Sequence, residues 1–173
     1  MPYQGLVAAS VPWVPTNDEV INRLVETLSR YMQRLGRGVF MDVGCGDGRV
    51  AIAVARRLQI PTICIELKDE LASRARMNAE RSGVGHLVEV VQADFFTYPL
   101  TSAKYVYMYL LLSVNTKLEP KLNRELRKGA LVVTLDFPMP SWRPIEQIEV
   151  DGRSWQRKLY VYMAGVSNSE NSH

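Results

Sequence analysis

Asp42, Gly44, Gly46, Asp47 and Gly48 fall within the seven residues Asp42-Val43-Gly44-Cys45-Gly46-Asp47-Gly48. Glycines let the backbone turn tightly and come close to a ligand. A dinucleotide loop wants glycine-x-glycine-x-x-glycine, but position 49 is Arg49 and the pattern here is glycine-x-glycine-x-glycine. The two carboxylates repel a pyrophosphate. They suit a ligand that carries positive charge, such as an ammonium and a sulfonium on one molecule. Two further acids belong with the loop. Glu66 stands at the end of the next apolar run, and Asp94 follows the one after, within Gln92-Ala93-Asp94-Phe95.

S-adenosylmethionine has both an ammonium and a sulfonium. An acid at Glu66 is placed to accept both ribose hydroxyls, as in dinucleotide folds. Asp94 is placed to accept from an adenine amino group, with Phe95 near the ring. Any one of these acids alone is a helix cap or a solvated loop residue. Three acids at three successive strand ends, with the glycines, form one constellation.

These residues need strands to carry them. The apolar runs Val39–Val43, Thr62–Ile65, Leu87–Val91, Tyr105–Leu110 and Ala130–Phe137 read as strands. Helices separate most of them. Thr16-Asn17-Asp18-Glu19 has the form of a capping box at Thr16, ahead of apolar residues at helical spacing from Val20 to Leu35. Arg49–Leu58, Asp69–Ser82 and a run from Val114 to Leu126 complete the helices. Ile145–Val150 and Trp155–Met163 flank Asp151-Gly152, a hairpin signal. The expected fold is α/β, a three-layer, seven-stranded sheet, mostly parallel, with an antiparallel C-terminal hairpin. Residues 1–166 form one domain, with 1–16 as a covering segment and 167–173 as a flexible tail; fraying is expected from residue 164.

Length and composition agree. The chain has 173 residues, 47% hydrophobic and 23% charged, which excludes a disordered or fibrous chain. A net charge of +3 does not argue for nucleic acid. Two cysteines, Cys45 and Cys64, cannot build a disulfide scaffold or a zinc site alone, and their scarcity fits a reducing compartment. No metal is expected. The longest strongly apolar stretch, Tyr105–Val114, is too short for a membrane span, which needs about 20 residues. The N-terminus has three prolines and no basic region, so the expected setting is cytoplasmic.

The stretch Val39–Asp94 resembles the class I, seven-strand methyltransferases, Rossmann-like enzymes that use S-adenosyl-L-methionine. Their loop motif matches Asp42, Gly44, Gly46 and Gly48, their ribose acid Glu66 and their adenine acid Asp94. A narrower resemblance rests on Val11-Pro12-Trp13-Val14-Pro15-Thr16, Tyr109-Leu110-Leu111-Leu112-Ser113-Val114-Asn115, Leu118-Glu119-Pro120-Lys121-Leu122 and Asp136-Phe137. These are similar to the small archaeal broad-specificity protein-lysine methyltransferases, relatives of the mitochondrial ATP-synthase c-subunit lysine methyltransferase. The resemblance implies that Trp13–Thr16 folds over the cofactor and lines a lysine entrance. It also implies a cofactor set that includes Thr16, Cys45, Asp47, Leu67, Phe95 and Tyr109 beside the motif residues.

Amide and nucleobase methyltransferases of this class end the fourth strand in Asp or Asn followed by Pro-Pro-Tyr or Pro-Pro-Phe. Here Tyr109-Leu110-Leu111-Leu112 stands instead. A neutral amine needs only alignment with the methyl carbon. Tyr109, Ser113 and Asn115 are the candidates for orienting it, with Trp13 flanking the lysine stem, and each also has an ordinary structural reading. Asp136 either attracts a lysine or caps a turn. No histidine or glutamate stands out as a base. Lys117, Lys121, Arg124 and Lys128 form a basic stripe, either a solvated face or a docking surface for acidic protein or RNA. The expected activity is methylation of the ε-amine of lysines accessible on a protein partner, by a monomer without a membrane or nucleic-acid partner. The alternatives are a methyltransferase acting on RNA or a small molecule, and a non-catalytic binding protein.

Overall fold

Val39–Val43 forms the central strand β1 because both of its faces are covered: Phe40, Met41 and Val43 are fully buried, and Asp42 nearly so. The structure, a computed structural model, describes residues 13–150 and 157–169. In chain order the other strands are β2 (Thr62–Glu66), β3 (Val88–Gln92), β4 (Ala103–Met108), β5 (Leu131–Leu135), β6 (Glu146–Val150) and β7 (Arg157–Met163). They lie in the order β3-β2-β1-β4-β5-β7-β6. The first five are parallel, and β7 runs antiparallel to both β5 and β6. This is the expected mostly parallel sheet with an antiparallel edge. The expected turn at Asp151-Gly152, the start of the last strand at Trp155, and residues 1–12 and 170–173 lie outside the described residues.

Helices α1 (Asp18–Leu35), α2 (Arg49–Leu58) and α3 (Asp69–Arg81) cover one face, and α4 (Leu112–Glu125) packs on the other. Val114, Leu118 and Leu122 of α4 reach Met41, Val106 and Val132 of the sheet. No helix links β3 to β4; turns fill residues 93–102. Only about ten residues separate Asp94 from Tyr105, too few for a full crossover helix. No helix among the described residues is long and apolar enough to cross a membrane.

Most boundaries shift by a residue or two, and three differ from expectation for a physical reason. The cap of α1 is Asn17, whose Oδ1 accepts from the Val20 N–H at 3.0 Å. Thr16 is diverted to a bond with the Tyr107 hydroxyl at 3.0 Å. Strand β4 ends at Met108 rather than Leu110, because its neighbour β1 ends opposite it at Val43. Tyr109 and Leu110 therefore stand beyond the strand, at its C-terminal mouth. The chain end does not fray from residue 164. Gly165, at φ 85°, starts a turn, and Ser167 is buried. Its Oγ accepts from Met163 N–H at 2.9 Å and its carbonyl from Arg143 N–H at 2.9 Å. Short polar residues here close a turn instead of facing water.

Candidate active site

The sheet order reverses between β1 and β4, and side chains from the C-terminal ends of both surround a cavity of about 690 Å³, counting its open mouth. Such switch points are where α/β sheets bind ligands. In register, Asp42 of β1 lies between Cys64 of β2 and Tyr107 of β4. The cavity is lined by Asp42 of β1, Gly44, Cys45 and Asp47 from the loop, Glu66 at the end of β2 with Leu67 just beyond it, and Phe95 after β3. Tyr109 closes the β4 side, and Trp13 and Thr16 come from the N-terminal segment. Gly46, Gly48 and Asp94 do not line it. Asp94 uses Oδ1 to accept from Phe96 N–H at 2.9 Å, which turns the chain so that Phe95, its neighbour, faces the cavity.

Glu66 ties the loop down. Its Oε1 accepts from Gly46 N–H at 3.0 Å and its Oε2 from Lys68 N–H at 2.8 Å. A carboxylate has about four acceptor sites, so roughly two stay open for ligand hydroxyls. A second tie corrects the reading of the cysteines. Cys45 of the loop and Cys64 of β2 are bonded to each other, with Cα atoms 5.4 Å apart. Neighbouring parallel strands bring the two within disulfide reach, and the pairing removes the cysteine argument for a reducing compartment.

Trp13 lies on the glycine loop. Gly46 has φ 58°, and a methyl group placed on it would overlap the Trp13 indole nitrogen. The Arg49 guanidinium stands 5.9 Å from the Trp13 ring centroid, and Arg49 also pairs with Asp47 at 2.8 Å. The expected result for Gly46→Ala is a lower melting temperature, from a left-handed alanine (about 1–2 kcal/mol) plus displacement of the indole. In a Trp13→Ala background the same substitution should cost less. Equal costs in the two backgrounds, measured by a thermal-melt double-mutant cycle, would mean that Trp13 does not cover Gly46.

The carboxylates around the cavity are not equivalent. Asp47 is neutralised by Arg49, and Glu66 holds two amides. Asp42 is buried, and no ion pair among the described residues includes it. Burial pushes its carboxyl up to about 8, with Glu66 and Asp47 adding to the rise and an Ala51 backbone contact opposing it. Below that pH Asp42 holds a proton in place of a cation, and a ligand ammonium beside it would displace that proton. Burial also pushes the Tyr107 hydroxyl up.

On the substrate side, Tyr109 is half-buried, with its ring stacked on Phe137 at 6.4 Å between centroids. Asn115 departs from expectation. It is fully buried and outside the cavity lining. Its Nδ2 donates to the Phe137 carbonyl at 3.1 Å and thus holds the wall that Tyr109 stacks on. The basic stripe is broken too: Lys121 is buried and paired with Glu125. Tyr107, Arg49 and Lys68 also line the cavity and were not singled out from the sequence. Tyr107 was within reach of strand alternation, which places it on the same face as Tyr109.

Residues 42–146 match the model of the ANTKMT methyltransferase domain. The chain belongs to the ANTKMT methyltransferase domain family. The protein-lysine N-methyltransferase of Saccharolobus islandicus is 35% identical over 156 residues, covering 90% of this chain and 94% of the relative. The mouse adenine nucleotide translocase lysine N-methyltransferase is 33% identical over 84% of this chain, which spans only 62% of that relative's length. Among solved structures, an RNA methyltransferase from Salinibacter ruber in complex with S-adenosyl-L-homocysteine superposes with a TM-score of 0.79 at 34% identity. It covers 92% of this chain and 98% of the other. The fold of this ANTKMT-family domain is thus that of the class I methyltransferases. The donor set fits the aminoacyl-nucleoside ligand of such enzymes: a cation-seeking Asp42, open acceptor sites on Glu66, and Phe95 as an apolar wall.

Proposed function

We propose that this protein transfers the methyl group of S-adenosylmethionine to the ε-amine of lysine side chains in proteins. The observation that carries the proposal is the asymmetry of the cavity. One end holds a buried acid, Asp42, that no ion pair among the described residues includes; the other is a wall of Tyr109 and Leu110, and no histidine lines the cavity. The named lysine methyltransferases among the relatives support the same reading.

When bound, S-adenosylmethionine supplies a methyl carbon on a positive sulfur; the amine lone pair takes that carbon, the carbon–sulfur electron pair stays on sulfur, and the amine proton leaves to solvent. Asp42 meets the ligand ammonium and Glu66 the ribose hydroxyls. Trp13–Thr16 covers the loop and excludes water. Tyr109, held by Phe137, aligns the amine. Leu111 and Leu112, 40% and 47% exposed just beyond Leu110, offer apolar contact to the segment around the target lysine. A lysine has an ordinary pKa of about 10.4, so only about one in 2,500 is neutral at pH 7. Without a general base at the wall, the site works by admitting the neutral amine.

The Salinibacter structure's description as an RNA methyltransferase favours a second reading, methyl transfer to RNA by the same cofactor site. Incubating the protein with methyl-labelled cofactor and cell extract separates the two. Label that protease releases and ribonuclease leaves untouched is expected; label released only by ribonuclease would reject the lysine reading.

A further inference from the structure

On the lysine reading, we infer that Arg157 is a positioning residue that holds the Asp136 carboxylate away from the incoming amine, so that the amine reaches Tyr109 uncharged. The guanidinium lies 5.3 Å from the Tyr109 ring centroid, and Phe137 stacks on the same ring. Arg157 Nε donates to Asp136 Oδ2 at 2.7 Å. Asp136 cannot drift from this pair. It has φ 62°, its N–H donates to the Lys158 carbonyl at 2.8 Å, and its Oδ1 accepts from Lys158 N–H at 3.2 Å. The turn it begins is held from the other side by Asn115 on the Phe137 carbonyl. The chain therefore fixes a carboxylate beside the aromatic wall and then covers its charge.

The cover is needed for a chemical reason. A bare carboxylate near the wall would stabilise a lysine as ammonium, which has no lone pair for the methyl carbon. Paired with Arg157, the two charges cancel. Arg157 Nη2 is buried without a hydrogen-bond partner among the described residues, so Asp136 is the partner that fixes the guanidinium. The groups that face the pair are Tyr109 and Tyr107 of the β4 side, and the Tyr107 hydroxyl feels both Arg157 and Asp42. The Lys158 ammonium is turned away, toward Gln147 and over the Tyr160 ring. On the opposite wall stand Asp42, Glu66, and Asp47 with its partner Arg49.

The test is kcat against pH at saturating S-adenosylmethionine and saturating lysine-rich histone, since kcat reports groups in the enzyme–substrate complex. For wild type, kcat should rise with pH as the bound amine loses its proton. In Arg157→Gln the midpoint should move up by about one pH unit, with kcat at pH 7 falling about tenfold. Asp136→Asn, which leaves the cation uncovered, should move the midpoint down. The double variant should return near the wild-type value, and Arg157→Lys should keep the wild-type midpoint while lowering kcat. A shared midpoint in all variants, or shifts of the same sign in Arg157→Gln and Asp136→Asn, would overturn the inference while leaving lysine methylation standing. If Arg157→Gln does not fold, the sign of the Asp136→Asn shift and the Arg157→Lys midpoint decide the matter. No methyl-lysine from the wild type on histone or on any protein of the cell extract would remove the lysine reading and this inference with it.

Discussion

Glu66→Ala is expected to weaken S-adenosylmethionine binding by about tenfold to several hundredfold. The lost contacts are two charge-assisted hydrogen bonds to the ribose, each contributing about 1.5–3 kcal/mol. The same change should lower the melting temperature of the ligand-free protein, because the Gly46 N–H loses the acceptor it has at 3.0 Å and the Lys68 N–H the one at 2.8 Å. A buried donor left without a partner costs about 1–3 kcal/mol, and in a chain of this length that is a shift of several degrees. Glu66→Gln separates the two effects. It keeps a side-chain acceptor for one backbone amide but replaces an acceptor with a donor on the ribose side. Its melting temperature should fall less than that of the alanine variant while its affinity stays low. Calorimetry that finds unchanged affinity in both variants would take Glu66 out of the ligand site and leave it as a loop clasp.

The affinity for S-adenosylmethionine should also climb with pH, by up to about tenfold per unit between pH 6 and pH 8, and then level off. Asp42 sets the sign. In the ligand-free protein its carboxyl is pushed up to about 8 by burial, so below that pH it holds a proton. A ligand ammonium favours the carboxylate and drives the proton off, so binding releases protons below pH 8 and gains from every rise in pH up to it. Folding without ligand has the opposite dependence. The unfolded chain's aspartate ionises near its ordinary value of about 4, and the folded one does not until about 8. Stability from this group therefore falls as pH rises from about 4 to about 8 and is constant above. Asp42→Asn should abolish the pH dependence of binding, weaken binding at pH 8, and raise ligand-free stability there. Titration calorimetry in two buffers of different ionisation enthalpy counts the released proton. A wild-type affinity flat from pH 6 to 8, with no proton released, would mean that Asp42 does not meet the ammonium.

The strand and helix runs were readable because buried parallel strands and amphipathic helices leave periodic apolar patterns. So were the glycine loop and Glu66, whose spacing follows from one strand-turn-helix unit. What escaped depends on contacts between distant segments. The bond between Cys45 and Cys64 needs β1 beside β2, a pairing that two cysteines in isolation do not announce. Thr16 fits a capping box in the sequence, yet the buried Tyr107 hydroxyl competes for it and leaves the cap to Asn17. Asn115 had the right type and neighbourhood for an amine ligand, but helix phase turns it inward to the Phe137 carbonyl. Lys121 shares the stripe's spacing with Lys117 and Arg124, yet sits on the buried side of α4, and only packing reveals it. Arg157 and Asp136 are 21 positions apart and meet because β7 returns antiparallel beside β5.

The most direct test of the central claim is to treat a mixture of purified proteins and RNA with the wild-type protein and methyl-deuterated S-adenosylmethionine, then locate the label by mass spectrometry. Deuterated methyl groups on lysine side-chain nitrogens, absent in Glu66→Ala at limiting cofactor, are the predicted result. Label confined to RNA, or to arginine or glutamine side chains, would contradict it.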